Sequence, residues 1–172
     1  MKHAVYAPNF NDYGDPVRLV ELAVAAERAG YDGFFVWDHL VFEGSGQWPV
    51  ADAGIALGAI AAATSRLRIG TMITPVARRR PWKLAREWVT LDRLSSGRLT
   101  VGVGLGEPAD LEFAAFGEDA SAKGRASRLD EGLVIIDALA PFFFDDVALG
   151  NKAAIWIFID DQIRHPLSFE RH

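Results

Sequence analysis

An Asp-His pair, Asp38 and His39, directly follows the apolar run FFVW in the stretch GYDGFFVWDHL. A neutral imidazole both donates and accepts a proton near pH 7, which a carboxylate does only when its pKa is strongly perturbed. His39 is therefore the first candidate for acid–base chemistry. The competing interpretation is that His39 caps the helix or loop after the strand and that Asp38 accepts backbone N–H bonds in the turn.

Two glycine-containing segments, GTMITP at 70–75 and GVGLGEP at 102–108, end further apolar runs. Glycine lets a planar ring or a phosphate approach the backbone because no Cβ intervenes. The second segment is not a dinucleotide fingerprint, since it contains G-x-G-x-G and Pro108 interrupts an immediate helix start. It also carries Glu107, which is either a site carboxylate or a solvated loop acid.

The densest basic cluster is the run from Arg78 to Arg80, after the third apolar run. On the same side of the fold as His39, these side chains would hold a phosphate or an acidic substrate through charge-assisted hydrogen bonds. The alternative is an ordinary solvated loop. His165 and His172 lie near acidic residues in the tail, but their spacing matches no metal motif, so we assign no metal.

Composition narrows the class of protein. The 172 residues carry a formal net charge of −5, which disfavours a surface that binds nucleic acid or an anionic membrane and favours a small-molecule partner. The chain has no cysteine, which excludes disulfides, thiolate catalysis and Cys-based zinc sites. It shows neither a signal-peptide pattern nor an apolar run of about 18 residues, so we expect a cytoplasmic protein.

Alternating strands and helices must position these residues. Short apolar runs bounded by turn residues predict strands, and helical spacing of apolar residues predicts the segments between them. Asp15-Pro16 and Gly30 mark the ends of the first helix. The alternation predicts a single α/β domain with a parallel sheet, either Rossmann-like or a (β/α)8 barrel. Strands are expected at 3–7, 34–37, 67–74, 98–104 and 153–159, and further helices at 52–63, 81–94, 111–115 and 128–139.

Four motifs, in order, resemble those of the bacterial luciferase-like monooxygenases. They are GYDGFFVWDHL, TSRLRIGTMITP, RRRPWKLAREWVTLDRLSSGRLTVGVGLGE and RLDEGL, and the resemblance covers about residues 1–139, leaving a divergent tail at 140–172. It implies a (β/α)8 barrel and an oxidoreductase or monooxygenase that uses a bound flavin-type cofactor for hydride or oxygen chemistry on a small organic substrate. The resemblance leaves FMN and the deazaflavin coenzyme F420 as alternatives.

The resemblance also implies roles for individual residues. His39 would face the cofactor ring and exchange a proton, and Glu107 would donate or accept a proton at the substrate. Without the resemblance, Thr71 and Thr74 are ordinary strand residues of high β propensity. The cofactor contacts implied by the family are Asp38, Thr71, Met72, Thr74, Gly104 and Gly106.

Length sets this chain apart from the family, because a (β/α)8 barrel typically takes about 250 residues. About four βα units and one further strand predict a partial TIM-type barrel, with apolar edges at 4–7 and 155–159 and with Phe35, Trp37, Val101 and Val103 half enclosed inside. Exposed edges invite pairing, so we expect a homodimer with the tail, including Phe169, at the interface. The alternatives are a tail that folds back to cap its own half-barrel, and a non-catalytic flavin-binding or scaffold protein.

Overall fold

The computed structural model describes residues 1–42, 48–143, 154–159 and 162–167. Strands and helices alternate over most of this range, as the sequence predicts. The strands are β1 (Ala4–Ala7), β2 (Gly33–Val36), β3 (Arg68–Thr71), β4 (Thr74–Pro75), β5 (Thr100–Gly104), β6 (Ala154–Ile159) and β7 (Gln162–Leu167). The α-helices are α1 (Pro16–Arg28), α2 (Ala53–Ala63), α3 (Pro81–Leu94), α4 (Ala109–Glu112) and α5 (Ala122–Phe143).

Capping residues explain where the first two helices start. The Asp15 carboxylate accepts a hydrogen bond from the Val17 amide, with Pro16 at the first helical position, and the Asp52 carboxylate accepts one from the Ile55 amide. Gly30 follows α1 with a φ of +87°, the left-handed conformation that suits glycine. The predicted bounds of α2 and α3 are confirmed to within a residue, whereas α5 starts at Ala122 rather than Arg128.

The sheet is parallel in chain order up to β6. One part pairs β1, β2 and β3, and the other pairs β4, β5 and β6, while a bridge between Ile69 and Leu99 joins the two parts. This order and direction are those of a partial (β/α) barrel. The strand predicted at 67–74 is divided into β3 and β4 by Met72 and Ile73, whose peptide bond is cis.

The far end of the sheet differs from the prediction. β7 pairs antiparallel along β6, so 155–159 is not an exposed edge. The tail folds back on its own sheet and extends it, with Pro166 in β7, where a residue without an N–H is tolerated because the strand lies at an edge. Phe169, expected at a dimer interface, lies outside the described residues.

Register assigns each strand residue to one of two faces. Phe34 and Ile69 share a register row, are fully buried and pack against the helices. Tyr6 and Phe35 share the neighbouring row and point to the other face, which we call the inner face. Tyr6 is 54% exposed and Phe35 is half-buried, so the inner face is partly open. The prediction that Val101 and Val103 line this face is wrong, because both are buried in the helix-side core.

Candidate functional site

The carboxyl end of β2 carries His39, and its backbone is held by the buried side chain of Asn9. Asn9 Nδ2 donates to the His39 carbonyl at 2.9 Å and to the Ala51 carbonyl at 2.8 Å, while the His39 amide donates to Asn9 Oδ1 at 3.3 Å. Asn9 is fully buried. This amide therefore ties the end of β2 to the loop after β1 and to the segment before α2.

The His39 ring lies among aromatic side chains and next to a buried carboxylate. Its Nδ1 is 3.1 Å from Glu112 Oε1. The ring centroids of Phe10, Trp37 and Phe42 lie 5.9, 5.4 and 5.5 Å away. Burial lowers the pKa of His39 and the positive charge of Arg78 lowers it further, which outweighs the opposing effect of Asp38. The imidazole is therefore neutral near pH 7.

Glu112 organises the segment after His39, although it lies at the end of α4, far along the chain. Its side chain is 1% exposed. Oε1 accepts hydrogen bonds from the Leu40 amide at 3.0 Å and the Val41 amide at 3.3 Å, and Oε2 forms an ion pair with Arg78 Nη1. Sequence reasoning missed Glu112, because nothing in its local pattern distinguishes it from the other acids of the same connection.

Asp38 points away from His39, toward the helices. Its carboxylate accepts from Arg79 Nη2 at 2.6 and 2.7 Å and from Arg78 Nη2 at 3.2 Å, and its side chain is 4% exposed. Burial lowers the pKa of Arg78 to about 10, which leaves it cationic at neutral pH. Two of the three clustered arginines are thus paired inside the protein, rather than standing in a solvated loop.

Thr71 and Thr74 also belong to the helix side. Their hydroxyl oxygens are 2.6 Å apart, and both residues line a cavity of about 390 Å³ between α2 and α3 that includes Asp38. Between them, the Met72 carbonyl accepts a hydrogen bond from the Tyr6 hydroxyl on the inner face. Partial burial raises the pKa of Tyr6 to about 12, so this hydroxyl stays protonated.

The turn after β5 contains the remaining predicted residues. Gly104 pairs with Pro75 in the parallel register. Because Val103 faces the helices, its neighbour Gly104 lies on the inner face, where it presents no side chain. Gly106 has a φ of +80°, and a Cβ there would lie 2.7 Å from the Cβ of Pro75. Glu107 is 70% exposed; it accepts from Arg125 Nη2 at 2.8 Å and from the Ala109 amide at 2.8 Å. The structure does not bring Glu107 into the His39–Glu112 network.

The inner face next to His39 fits a flat, planar ligand of the flavin type. Trp37 supplies an aromatic wall, and its indole Nε1 is buried without a hydrogen-bond partner among the described residues. Gly104 leaves room at the strand end, since it has no side chain. An unpaired donor beside a neutral imidazole and a glycine suits a ring with polar edge atoms. Arg78 forms ion pairs with Asp38 and Glu112, and Arg79 forms one with Asp38. The predicted phosphate contact therefore has no support from these two side chains.

The described part of the chain offers neither a metal site nor a membrane-spanning helix. It contains no group of three or more His, Asp or Glu side chains arranged to hold a metal ion. None of the helices within it combines the length and the apolar character needed to cross a bilayer.

Comparison with known protein families gives one match over most of the chain. The family model for luciferase-like monooxygenases matches residues 1–142. An F420-dependent glucose-6-phosphate dehydrogenase of Beutenbergia cavernae is 39% identical over 128 residues, which covers 72% of this chain and 37% of that protein. The chain thus spans about two fifths of the length of the curated relatives it matches.

Solved structures show the same fold. An F420-dependent secondary alcohol dehydrogenase in complex with an F420-acetone adduct superposes with a TM-score of 0.77 at 26% identity, covering 91% of this chain and 52% of that one. The oxygenating constituent of 3,6-diketocamphane monooxygenase from Pseudomonas putida, in complex with FMN, superposes with a TM-score of 0.68 at 17% identity, covering 95% and 43%. The second likeness is one of fold alone.

Proposed function

Because the chain belongs to the luciferase-like monooxygenase family, we propose that it serves an oxidoreductase reaction of a flavin-type coenzyme on a small organic substrate. The observation that carries this proposal is the position of His39 just beyond the carboxyl end of β2, with the Trp37 ring beside it and Nδ1 3.1 Å from Glu112 Oε1. Active sites of (β/α) barrels lie at that end of the strands. The coenzyme ring would lie against the inner face, next to Trp37, Met72 and Gly104.

We favour the deazaflavin coenzyme F420 over FMN. The sequence relative and the structure with the higher identity are both named as F420-dependent, whereas FMN occurs in a structure that is 17% identical. When bound, a coenzyme of this kind supplies hydride transfer, and FMN would add chemistry with oxygen. Gly106 would support the coenzyme indirectly, by allowing the turn after β5 to pack on Pro75.

The residues of this chain would bind the reactants and exchange protons. Both F420-dependent relatives are dehydrogenases by name, so the favoured substrate is an alcohol. Its carbon would lose a hydride to the oxidised coenzyme and its hydroxyl would give a proton to His39 Nε2, which yields a carbonyl compound. Glu107 is the second candidate for proton exchange. Asp38, Thr71 and Thr74 would act on this site through the strands that carry them, since their side chains contact helix-side residues.

The openness of the inner face favours a second candidate function. Tyr6 is 54% exposed on the face where the coenzyme would bind, so bulk water would reach the ring. Water competes for the hydrogen bonds and weakens the electrostatic effects on which catalysis depends. A flavin-binding or scaffold protein without turnover of its own is therefore the alternative.

A second copy of the chain would remove this difficulty. The outer edge of β1 has no strand paired to it among the described residues, and Tyr6 leaves apolar surface open on the inner face. Exposed strand edges and apolar faces favour association. We infer a homodimer that covers the inner face and shields the coenzyme from water.

Binding and turnover of purified protein test the proposal. We expect F420, and FMN more weakly, to bind in a fluorescence titration, and an alcohol panel to reduce bound F420. His39→Asn keeps a donor for Glu112 but removes Nε2, so it should retain coenzyme binding and lose turnover by about 100-fold. His3→Ala, at an exposed histidine, is the matched control and should behave as the unmodified protein. Equal turnover in His39→Asn would contradict the assignment, and binding without turnover would favour the scaffold alternative.

A further inference from the structure

We propose that Glu112 is a positioning residue for His39, because its carboxylate fixes the imidazole proton on Nδ1 and leaves Nε2 as the nitrogen that meets a ligand. This inference rests on the function proposed above for His39. It concerns a residue in α4, a helix that contributes no other side chain to the His39 environment described above.

Among the described residues, the surroundings of the Glu112 carboxylate contain only hydrogen-bond donors besides His39. Glu112 is almost completely removed from solvent, at 1% exposure. Its partners besides His39 are the amides of Leu40 and Val41 and the guanidinium of Arg78. Backbone amides and guanidinium groups can only donate hydrogen bonds. The site therefore requires Glu112 to act as an acceptor in each of these directions, which is the role of an ionised carboxylate.

The Glu112 carboxylate determines which nitrogen of the His39 ring carries the proton. An ionised carboxylate has no hydrogen to give, so the nitrogen 3.1 Å from Glu112 Oε1 must be the one that carries a proton. In neutral His39 this is Nδ1–H, and Nε2 is then the free acceptor. A base is oriented by a third group in the same way in other acid–base sites, where the hydrogen bond on one ring nitrogen sets the tautomer and the ring plane.

The His39 ring has little rotational freedom even apart from its bond to Glu112. Asn9 holds the His39 backbone on both its N–H and its C=O. Phe10, Trp37 and Phe42 enclose the ring on other sides. A ring held at its backbone, its faces and Nδ1 presents Nε2 in one direction. Preorganisation of this kind lowers the cost of reaching a productive geometry.

The charges that face His39 come from three elements, and they predict how its titration responds to Glu112. Arg78, from the 3₁₀ turn Val76–Arg78, disfavours the imidazolium, while Asp38, which precedes His39 in the segment after β2, favours it. Glu112, from α4, pairs with both His39 and Arg78. Removing the Glu112 charge takes away an attractive partner and leaves the Arg78 charge less compensated. The pKa of His39 should then fall further.

Heteronuclear NMR of the imidazole nitrogens in the coenzyme-free protein tests the role directly. The chain has four histidines, so the His39 signals are assigned by their absence in His39→Asn. In the unmodified protein we expect neutral His39 to be protonated on Nδ1. In Glu112→Gln we expect its pKa to fall by about 1 unit, within the range for loss of a close opposite charge. Asp110→Asn, an exposed acid in the same helix, is the control and should leave both properties unchanged.

Two results would overturn the proposal: a neutral His39 protonated on Nε2 in the unmodified protein, or an unaltered His39 titration in folded Glu112→Gln. The tautomer in the unmodified protein decides the question if Glu112→Gln does not fold. A merely structural role would lower the melting temperature of Glu112→Gln without moving the His39 titration. Coenzyme binding is measured separately, so a correct tautomer without coenzyme binding would contradict the proposed function and leave the positioning role intact.

Discussion

Asp38 shows how much a single buried charge can matter in this protein. Its carboxylate accepts two bonds from Arg79 and one from Arg78, all within 3.2 Å, and is 4% exposed. The two arginines share it, and Arg78 also pairs with Glu112. Removal of one partner from such a group leaves uncompensated buried charge, which costs far more than the net contribution of the ion pair.

Asp38→Asn should therefore lower the free energy of unfolding by about 3 kcal/mol, measured by urea denaturation. The matched control is Asp12→Asn. Asp12 lies 3.9 Å from Arg18 with 77% of its side chain exposed, so its loss should leave the unfolding midpoint unchanged. Equal effects of the two substitutions would show that the buried network contributes no more than a surface pair.

Asp92 should give folding stability a pH dependence opposite in sign to that of ordinary acid denaturation. It is 1% exposed, its Oδ1 accepts from the Leu99 amide at 3.2 Å, and its Oδ2 has no hydrogen-bond partner among the described residues. Burial raises the pKa of Asp92 above 3.8, against smaller opposing effects of the Leu99 amide and Arg68. Its stabilising contribution is complete below 3.8 and is lost as pH rises through the folded-state pKa.

Asp92→Asn should remove that dependence. The substitution keeps an acceptor for the Leu99 amide and carries no charge, so its gain in melting temperature over the unmodified protein should be larger at pH 7 than at pH 4. Thermal melts at both pH values measure this difference. A difference in melting temperature that is the same at both pH values would mean that the pKa of Asp92 does not differ between the folded and unfolded states.

The residues that sequence reasoning found and missed differ in how local their signals are. The sequence indicates His39 as a candidate because the end of a buried strand is a local pattern. Glu112 was not, since it lies 73 positions from His39 and only the folded chain brings them together. Thr71 and Thr74 are predicted to contact the cofactor through the backbone or a hydroxyl; the structure places both hydroxyls on the helix side, and the sequence alone does not specify which face of a strand a side chain occupies.

At the scale of elements, β3 lies unusually close to β5, and glycine makes that approach possible. A Cβ built on Gly70 would lie 1.5 Å from the Thr100 carbonyl oxygen, which is backbone and cannot move aside. Gly58 in α2 is the opposite case, because nothing lies within 4 Å of its added Cβ. The same chemical change therefore has opposite consequences at the two sites.

We expect Gly70→Ala to prevent folding or to destabilise the protein severely, and Gly58→Ala to stabilise it by about 0.5–1 kcal/mol through higher helix propensity. Circular dichroism melts of the two variants provide the measurement. A folded Gly70→Ala of unchanged stability would mean that β3 and β5 do not approach each other as described.

The helices and parallel strands were predictable because periodicity and capping residues specify them locally. β7 was not, since its sequence QIRHPL combines polar residues with a proline and lacks the apolar run that predicts a buried strand. The break between β3 and β4 was equally hidden, because GTMIT has the β propensity of one continuous strand.

At the scale of the whole molecule, only part of the surface that the sequence indicated for a homodimer is still open. The edge of β6 is covered by β7, and Val101 and Val103 are buried against helices. What remains is the inner face around Tyr6 and the outer edge of β1. The inner face lies on the side of the sheet opposite the helices, and the outer edge of β1 lies at the margin of the sheet.

Sedimentation velocity at micromolar concentration should therefore show a dimer. Tyr6→Glu places a charge on the inner face and should shift the equilibrium to monomer, because an unpaired charge is costly to bury at an interface. Val17→Glu changes a residue that is 60% exposed on α1 and should leave the dimer intact. A well-folded monomer of the unmodified chain at this concentration would contradict the assembly.

The antiparallel β6–β7 pair has a consequence for how the chain folds. Each parallel pair elsewhere in the sheet joins segments separated by a helix, so its formation must close a long loop, whereas β6 and β7 are almost contiguous. The hairpin can therefore form early and independently of the slower parallel pairings. During that interval β7 already occupies one hydrogen-bonding edge of the apolar strand AIWIFI and blocks it from intermolecular pairing. We expect the hairpin to reduce aggregation of the chain while the rest of the sheet assembles.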